Sequence, residues 1–317
     1  ESRLSTGMLC MNHILGGGIT AGMYTVFGPE QSAKSTAVMT VAGASIQQEV
    51  SNRFLWDAEG STGNSTDYVS NIFKTMNVKV DPETIFGVRK NNEWQIPPLI
   101  HYQDEGLSSP FFDFFSAFLR RLPDKRFDNG RWWFIYENTK ENQSKYREFA
   151  DASMSKANGA LYVPAKNGSL QALIIADSYP ALLPEGLDDD DPSNAMAIQA
   201  RDFSKNLPRI TGRLRRKRVA LFGVNQLRTN PGARFGNPEY EPCGHALKFN
   251  SGCRIRMFPR ALSGVPFHPK GDGQIEQEKS ATGKGMDTYR YVNITTIKNK
   301  YSSAQRRQSW LRVWVED

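Results

Sequence analysis

Apolar and polar residues recur with two different periods along the first half of the chain. Short apolar runs at 23–27, 53–57 and 84–88 predict strands, and the longer amphipathic stretches at 35–50 and 67–76 predict helices. Strands separated by helices of this length favour a parallel sheet that is covered by helices on both faces.

The same alternation continues through the second half. We predict helices over 110–122, which has a very aromatic face, and over 194–216. Apolar runs at 171–177, 218–225 and 252–257 predict further strands of the same sheet.

The chain closes on a different pattern. Apolar and polar residues alternate over 288–297 and 308–315, as is typical of half-buried antiparallel strands. The sequence therefore predicts an α/β fold with a mostly parallel twisted sheet, helices on both faces and a C-terminal antiparallel extension.

Two segments interrupt this order. Residues 124–169 combine the aromatic run 132–136 with a stretch rich in Asn and Lys and a small strand at 160–163, which predicts an inserted hairpin or subdomain. Residues 262–285 are rich in Gly, Pro, Lys and Glu and predict a mobile loop.

Composition places the chain among soluble globular proteins. Of its 317 residues 39% are hydrophobic and 23% charged, and no run approaches the roughly 18 apolar residues of a membrane span. The net charge of +7 favours a polyanionic partner, although only its placement along the chain is informative. Because the chain begins at Glu1 without an initiator Met, we expect the natural protein to begin upstream.

Cysteine usage points to a reducing compartment. The three cysteines, Cys10, Cys243 and Cys253, include no CxxC pair, so we expect reduced thiols in a cytoplasmic protein. A metal site from Cys243, His245 and Cys253 is the alternative, and it lacks a fourth ligand at finger spacing.

The segment 28–35 has the context of a phosphate-binding loop, because it follows a predicted strand and opens a predicted helix. Lys34 would reach the β- and γ-phosphates, and Ser35 would hold Mg²⁺. Ala33 stands where such loops usually have Gly, which restricts the backbone. An ordinary strand–turn–helix link is the alternative. The predicted nucleotide-binding residues here are Gly28, Pro29, Glu30, Gln31, Ser32, Ala33, Lys34, Ser35 and Thr36.

Two acidic residues follow predicted strands. Asp177 ends an apolar strand and would hold Mg²⁺ through water. Glu59 follows the next strand after the phosphate-binding helix and would polarise the water that attacks the γ-phosphate. A buried strand end and a solvated loop acid are the respective alternatives.

Nine short motifs give the chain a resemblance to the bacterial RecA family that spans nearly its whole length. They are STG at 5–7, LGGGI at 15–19, GPE at 28–30, DAE at 57–59, DS at 177–178, NQ at 225–226, FGNPE at 235–239, GHALKF at 244–249 and IKNK at 297–300. Phage-type (UvsX-like) members also relax the phosphate-loop Gly, so we expect a bacteriophage source.

The resemblance implies a P-loop ATPase that uses ATP and Mg²⁺ and forms a helical homo-oligomeric filament on single-stranded DNA. It further implies pairing with homologous duplex DNA, strand exchange, and single-strand-binding and mediator proteins as further partners. Glu59 would be the catalytic base and Gln226 the γ-phosphate sensor. Lys298 and Lys300 would reach the neighbour's ATP across the protomer interface. The resemblance places Lys248, Phe249 and Arg254 at that interface, beside the nucleotide.

Two segments resemble the family's DNA-binding loops, 184–196 (the first DNA loop) and 227–243 (the second DNA loop). On composition, 228–236 suits a flexible loop ordered by a polyanion, and an ordinary surface loop explains it equally well. The predicted DNA-binding residues are Met196, Arg201, Arg228, Asn230, Pro231, Gly232, Arg234, Phe235 and Gly244.

Several features depart from the family. Pro231 replaces an aliphatic residue, and the four acids at 188–191 would repel phosphate. The basic run 213–218 predicts cations that close a helix, with a nucleic-acid patch as the alternative. The family's N-terminal polymerisation segment and C-terminal domain do not occur in this sequence, so we expect either that the ends are disordered or trimmed, or that assembly proceeds by other means.

Two other functions fit the same fold. A non-catalytic paralogue that regulates a recombinase need not keep Glu59, Gln226, Lys298 and Lys300 together. A hexameric helicase or packaging motor is the third candidate, and the FGNPE loop and the lysine pair favour the recombinase over it.

Overall fold

The structure is a computed structural model. It describes residues 3–48, 50–62, 65–185, 192–229, 239–258, 276–279 and 286–314. Within these ranges, no helix has the length and apolar character needed to cross a bilayer.

One central sheet of nine strands organises the chain. Its parallel part consists, from the outer edge inward, of β5 (His101–Gln103), β2 (Asn52–Asp57), β9 (Ala172–Asp177), β10 (Val219–Gln226), β1 (Gly22–Gly28) and β13 (Cys253–Phe258). Every residue of β1 and β9 is buried, as expected for strands covered on both faces.

The C-terminal part of the sheet is antiparallel. Strand β15 (Met286–Asn299) pairs with β13, and β14 (Glu276–Lys279) and β16 (Gln308–Trp314) both pair with β15. The predicted α/β class with an antiparallel extension is confirmed.

Helices cover both faces of the sheet. They are α1 (Leu9–Leu15), α2 (Lys34–Ile46) and α3 (Thr66–Thr75) on one face, and α5 (Ser108–Arg121), α8 (Pro192–Leu214) and α9 (Ala246–Asn250) on the other. A hydrophobic core lies between the sheet and the helices on each face. Successive strand residues alternate between these two cores: Leu173 packs in the core with α1, α2 and α3, and Ile174 packs in the core with α5, α8 and α9. The aromatic face of α5 packs Phe111 and Phe115 edge-on against Trp56.

The predicted strand at 84–88 is wrong. Residues Pro82–Phe86 form helix α4, which Asp81 caps by accepting a hydrogen bond from the backbone N–H of Glu83 at 3.2 Å. A capping Asp followed by Pro82 at the first helical position favours a helix start over the apolar run that follows. The short strand β5 takes the outer position in the sheet. Strands β3 (Val88–Lys90) and β4 (Glu93–Ile96) form a separate hairpin.

Residues 124–169 carry a second, three-stranded antiparallel sheet. It consists of β6 (Asp124–Asp128), β7 (Arg131–Tyr136) and β8 (Leu161–Ala165), with α6 (Lys140–Tyr146) and α7 (Ala152–Asn158) between β7 and β8. Asn129 and Gly130 join β6 to β7 with positive φ values of 47° and 78°, as a two-residue hairpin turn requires. Of the predicted mobile loop 262–285, residues 276–279 form β14 and the rest lies outside the described residues.

Candidate active site

The predicted phosphate, metal and base residues meet at one edge of the sheet. Strands β2, β9, β10 and β1 lie side by side and run parallel, so their carboxyl ends share this edge. At this edge, β9 ends at Asp177 and β10 ends at Gln226. Glu59 follows the end of β2, and the phosphate loop (28–35) follows the end of β1. This is the edge at which parallel α/β sheets bind ligands.

The phosphate loop has a compact, partly left-handed backbone. Gln31 and Ala33 have φ values of 56° and 59°, so Ala33 adopts the conformation for which such loops usually use Gly. Ser32 Oγ donates to the carbonyl oxygen of Pro29 at 2.8 Å. A Cβ at Gly28 would lie 2.0 Å from the carbonyl oxygen of Met257, so no side chain fits there.

Lys34 is folded into this loop. Its Nζ donates to the carbonyl oxygen of Pro29 at 2.5 Å and to Ser32 Oγ at 3.3 Å, and the residue is only 8% exposed. Burial lowers the pKa of Lys34, and the charges of Asp177, Glu59 and Glu30 oppose that shift. The cation is thus held at the N-terminus of α2, where phosphate oxygens would replace the carbonyl as its partner.

Asp177 and Ser35 fit a magnesium site. The Asp177 carboxyl is hydrogen-bonded by the Ser35 side chain, and burial together with the charges of Glu59 and Asp57 raises its pKa to about 6. The hydrogen bond from Ser35 and the charge of Lys34 act in the opposite direction. A hydroxyl and a carboxylate beside a phosphate loop are the oxygen ligands that Mg²⁺ takes, with nucleotide phosphates and water completing its shell.

The alternative thiol site is wrong. Cys243 and Cys253 are buried free cysteines, and among the described residues no group of three or more His, Cys, Asp or Glu side chains is placed to hold a metal ion.

Glu59 is exposed and positioned by two neighbouring strands. It accepts hydrogen bonds from Ser178 Oγ and, at 3.2 Å, from Gln226 Nε2. Asp57 is fully buried instead. It accepts from the backbone N–H groups of Ser61 and Thr62, and so it holds the turn that carries Glu59. The Glu59 carboxylate is therefore oriented by two hydrogen bonds and remains accessible to water, as a general base requires.

Gln226 connects this site to residues 227–243, the segment predicted as the second DNA loop. The backbone N–H of Leu227 donates to the carbonyl oxygen of Gly28 at 2.9 Å, so the loop starts against the phosphate loop. Strands β11 (Arg228–Thr229) and β12 (Glu239–Tyr240) then pair across its base. The predicted DNA contacts Asn230, Pro231, Gly232, Arg234 and Phe235 lie outside the described residues.

Three of the remaining predicted DNA residues lie on α8 or pack against it, and the fourth lies on β11. Met196 is 44% exposed and Arg201 is exposed on α8, and Arg228 is exposed on β11. Gly244 has a φ of 65° and packs against Ala200 of α8. Helix α8 begins at Pro192, so residues 192–196 of the segment predicted as the first DNA loop are helical. The acids at 188–191 lie outside the described residues.

The predicted interface residues gather around α9 and β13. Lys298 Nζ donates to the carbonyl oxygens of Lys248 at 2.7 Å and Phe249 at 3.2 Å. Arg254 forms an ion pair with Glu241, and Lys248 lies 3.6 Å from the same carboxylate. Phe249 is 77% exposed. Within one chain, neither Lys298 nor Lys300 makes a described contact with the phosphate loop.

Sequence reasoning missed three contacts of this site. Ser178, which follows the predicted metal ligand directly, contacts Glu59, and the peptide bond before it is cis. The Tyr68 hydroxyl lies 2.6 Å from Thr36 Oγ1. Glu241 pairs with Arg254. Adjacency to Asp177 could have indicated Ser178; the other two depend on the folded arrangement.

Comparisons with known proteins find similarity over part of the chain. Residues 160–265 match the RecA N-terminal domain family. A Protein RecA of Mycoplasma mobile is 44% identical over 140 residues, which are 44% of this chain and 37% of the relative. A Protein RecA of Borrelia hermsii is 41% identical over 138 residues, 43% of this chain and 34% of the relative. The Protein RecA of Mycoplasmopsis pulmonis is 42% identical over 92 residues, 29% of this chain and 27% of the relative. The matched part of the chain thus spans about a third of these relatives.

Proposed function

We propose that this chain, a RecA-family protein in the part that these matches cover, is a DNA-dependent ATPase that forms a helical filament on single-stranded DNA and catalyses homologous pairing and strand exchange. The observation that carries the proposal is the joint contact of Ser178 and Gln226 with Glu59, beside Lys34 and Asp177. The carboxylate proposed as the base is thereby hydrogen-bonded to the residue that directly precedes the second DNA loop.

The phosphate loop and its neighbours account for nucleotide binding. The N-terminus of α2 and Lys34 hold the β- and γ-phosphates, and Ser35 and Asp177 hold Mg²⁺. Bound Mg²⁺ would neutralise charge that develops on the phosphate oxygens. Asp177 must be ionised to take part, which the positive charges of Lys34 and the metal favour over its burial.

Glu59, which follows the end of β2, supports hydrolysis. It accepts a proton from the water that attacks the γ-phosphate, because its exposed carboxylate is oriented by Ser178 and Gln226. A γ-phosphate is a stronger acceptor for the Gln226 amide than a shared carboxylate. Nucleotide binding would therefore draw Gln226 towards the phosphate and shift the start of the second DNA loop.

Assembly would complete the site. Phe249 is 77% exposed beside Lys248 and Arg254, which is the composition of an interface with an apolar centre and cationic surroundings. Lys298 contacts the carbonyl oxygens of Lys248 and Phe249, and we expect Lys298 and Lys300 to reach the neighbouring protomer's ATP. Charge on the transferred phosphoryl group would then be neutralised in trans.

Source and setting belong to the same proposal. Ala33 in the phosphate loop supports a bacteriophage (UvsX-like) member acting in the cytoplasm of its host. Partners would be single-stranded DNA, homologous duplex DNA, and single-strand-binding and mediator proteins.

Steady-state ATP hydrolysis with and without single-stranded DNA, together with negative-stain images of the same samples, tests this function. We expect strong stimulation by DNA and helical filaments, with no turnover in Lys34→Ala. Filaments without hydrolysis would indicate a regulatory paralogue, and rings that hydrolyse ATP would indicate a helicase or packaging motor.

A further inference from the structure

The edge of the sheet opposite the nucleotide site holds a second concentration of cations. Strands β1, β9 and β10 begin there, and the β6–β7 hairpin of the inserted sheet meets the turn that follows α8. The backbone N–H of Lys125 donates to the carbonyl oxygen of Arg216 at 2.8 Å, and the Gln171 side-chain amide donates to that of Lys217 at 2.7 Å. The Lys125 bond holds the hairpin against the turn after α8, and the Gln171 bond holds that turn against the start of β9.

A cavity of about 450 Å³ lies at this junction. Four cations and two aromatic side chains form most of its lining, and none of its lining residues is acidic. These six residues, the basic cavity, are Lys125, Arg126, Arg215, Arg218, Phe127 and Trp132. The volume is within the range of about 300–1,000 Å³ that small-ligand pockets have.

Two of the cations form the floor of the basic cavity. Lys125 is 6% exposed and Arg218 is 4% exposed. Lys125 Nζ donates to the carbonyl oxygen of Ser169 at 2.9 Å, and Arg218 donates to that of Gly168 at 2.5 Å. The Arg218 guanidinium also lies 5.0 Å from the centre of the Trp132 ring.

Burial of Lys125 and Arg218 in the floor of the basic cavity disfavours their charged forms. Burial lowers the pKa of Lys125 to about 8, and the charge of Arg218 lowers it further in the same direction. Two buried cations that repel each other in a cavity without a lining carboxylate would be stabilised by an anion between them.

The mouth of the basic cavity is exposed and partly aromatic. Phe127 is 55% exposed and packs edge-on to Trp132 at 5.6 Å between ring centres. Arg215 and Arg126 are exposed beside it. Arg126 pairs with Asp128 at 3.2 Å, whereas Arg215 makes no ion pair with any residue in the described part of the chain.

We propose that the basic cavity binds one nucleotide of a single-stranded nucleic acid, with its phosphodiester on Lys125, Arg215 and Arg218 and its base on Phe127. Cations that track phosphates, together with an exposed aromatic ring, are how proteins hold single strands, and a ring can stack only on an unpaired base. A strand fits better than a free nucleotide because the neighbouring cleft carries more basic than acidic side chains. Its lining includes Arg120, Arg121, Lys145, Arg216 and Lys217 against Asp124, Glu137 and Glu141.

This site is distinct from the proposed DNA loops. Those loops follow the carboxyl ends of β9 and β10, whereas the basic cavity lies where the same strands begin. The inserted sheet, whose role the sequence alone does not explain, would thus provide a second nucleic-acid contact on the far side of the protomer.

Photo-crosslinking of the full chain to an oligothymidylate with photoreactive bases tests the proposal. We expect crosslinks on Phe127 or Trp132, mapped by mass spectrometry of the digested protein. Arg215→Glu should lower the crosslink yield at these residues about ten-fold. Arg89→Glu is the matched control, because Arg89 is also exposed and lies on the separate β3–β4 hairpin. The crosslink yield of this variant should stay within two-fold of wild type.

Competition distinguishes the sources of the phosphate group. Unlabelled oligothymidylate should abolish the crosslinks, whereas AMP and inorganic phosphate at the same phosphate concentration should not. Equal competition by AMP or phosphate would make this a small-anion site and overturn the proposal. So would crosslinks confined to other peptides, or an unchanged yield in Arg215→Glu. Since ATP hydrolysis is not the readout, failure here leaves the proposed ATPase function standing.

Discussion

Gln226 donates a hydrogen bond from Nε2 to Oε1 of Glu59 across 3.2 Å, although 167 residues separate the two along the chain. Strand β9 lies between the strands that carry them, and Ser178 at its end contacts the same carboxylate. Three adjacent strand ends thus fix one acidic group. Because Gln226 directly precedes the segment predicted as the second DNA loop, we expect a change at Glu59 to alter how that segment starts.

Removing the Glu59 charge should separate ATP binding from hydrolysis. In Glu59→Gln the amide keeps the shape but cannot accept a proton, so we expect kcat to fall at least about 100-fold. ATP affinity should stay near wild type, and filaments should persist on DNA because they cannot turn over. Glu137→Gln, an exposed acid of the insertion, is the control for loss of one negative charge. A variant that neither hydrolyses nor binds ATP would refute the assignment of Glu59 as the base.

Asp177 should make the nucleotide-free protein less stable as the pH rises. Its pKa is raised from 3.8 to about 6, chiefly by burial, so folding favours the neutral carboxyl. The stability that this provides is fully present below about pH 4 and is lost as the pH rises through 6. The free energy of unfolding of Asp177→Asn, relative to wild type, should therefore increase by roughly 3 kcal/mol between pH 4 and pH 8.

Urea unfolding at a series of pH values measures this difference. The same series with saturating Mg²⁺ and ATP should reduce or reverse it, because the bound metal favours the ionised carboxylate. A difference that does not depend on pH without ligand would show that Asp177 titrates as an ordinary surface acid.

Ala33 should tolerate Gly but not a β-branched residue. Its φ of 59° costs an alanine about 1–2 kcal/mol, and Gly adopts it freely. The greater freedom of Gly in the unfolded chain offsets about 0.4–1 kcal/mol of that gain. Ala33→Gly should therefore leave stability unchanged or raise it by up to about 1.5 kcal/mol, and it should keep ATP binding.

Ala33→Val is the contrasting variant, since a β-branched residue at positive φ is severely strained. We expect it to lose ATP affinity at least ten-fold, as measured by fluorescent-nucleotide titration. Equal affinity in the two variants would show that the loop backbone relaxes away from the left-handed conformation when it binds ATP.

The sequence was most informative where chemistry follows a strand. Lys34, Asp177, Glu59 and Gln226 could be placed because parallel strands end at one edge, and each residue comes at or just after a buried run. The contact of Ser178 with Glu59 could not be placed, because it depends on β9 lying beside β2.

Short local signals explain where the predicted fold was wrong. At 84–88 an apolar run suggested a strand, but the Asp81 cap decided for a helix. The true edge strand, β5, has only three residues, too few for a periodic pattern to show. The basic run 213–218 contacts the β6–β7 hairpin only in the folded protein. Composition alone therefore could not show whether these cations close helix α8 or form part of a binding surface.

Gly223 should be intolerant of any side chain, because Tyr179 packs directly on it. A Cβ there would lie 1.8 Å from a Tyr179 ring carbon. Tyr179 is fully buried where its ring packs against β10 and edge-on to Phe203. Gly223→Ala should therefore lower the free energy of unfolding by about 3 kcal/mol or more.

The same change at Gly212 is the control. Gly212 is in α8, and a Cβ there meets nothing within 4 Å, so Gly212→Ala should be neutral or stabilise by up to about 1 kcal/mol. Chemical denaturation of both variants measures the contrast, and equal effects would show that Tyr179 has room to move.

Lys300 should act on the ATP of the neighbouring protomer. Its side chain is exposed, whereas Lys298 also closes α9 through the Lys248 and Phe249 carbonyls. Substituting Lys300 therefore tests the catalytic role without disturbing that helix. Lys300→Ala and Lys34→Ala should each be inactive alone. In a 1:1 mixture about a quarter of random head-to-tail interfaces combine an intact Lys34 with an intact Lys300, so about a quarter of wild-type turnover should return.

A second mixture shows whether such a recovery comes from pairing across the interface. Glu59→Gln and Lys34→Ala both change the protomer that binds the nucleotide, so their mixture forms no intact site and should stay inactive at every ratio. DNA-stimulated phosphate release measures both mixtures over a range of ratios. Recovery in the first alone requires that Lys300 and Lys34 of one active site come from different chains; recovery in neither would place Lys300 in the same chain as the ATP that it serves.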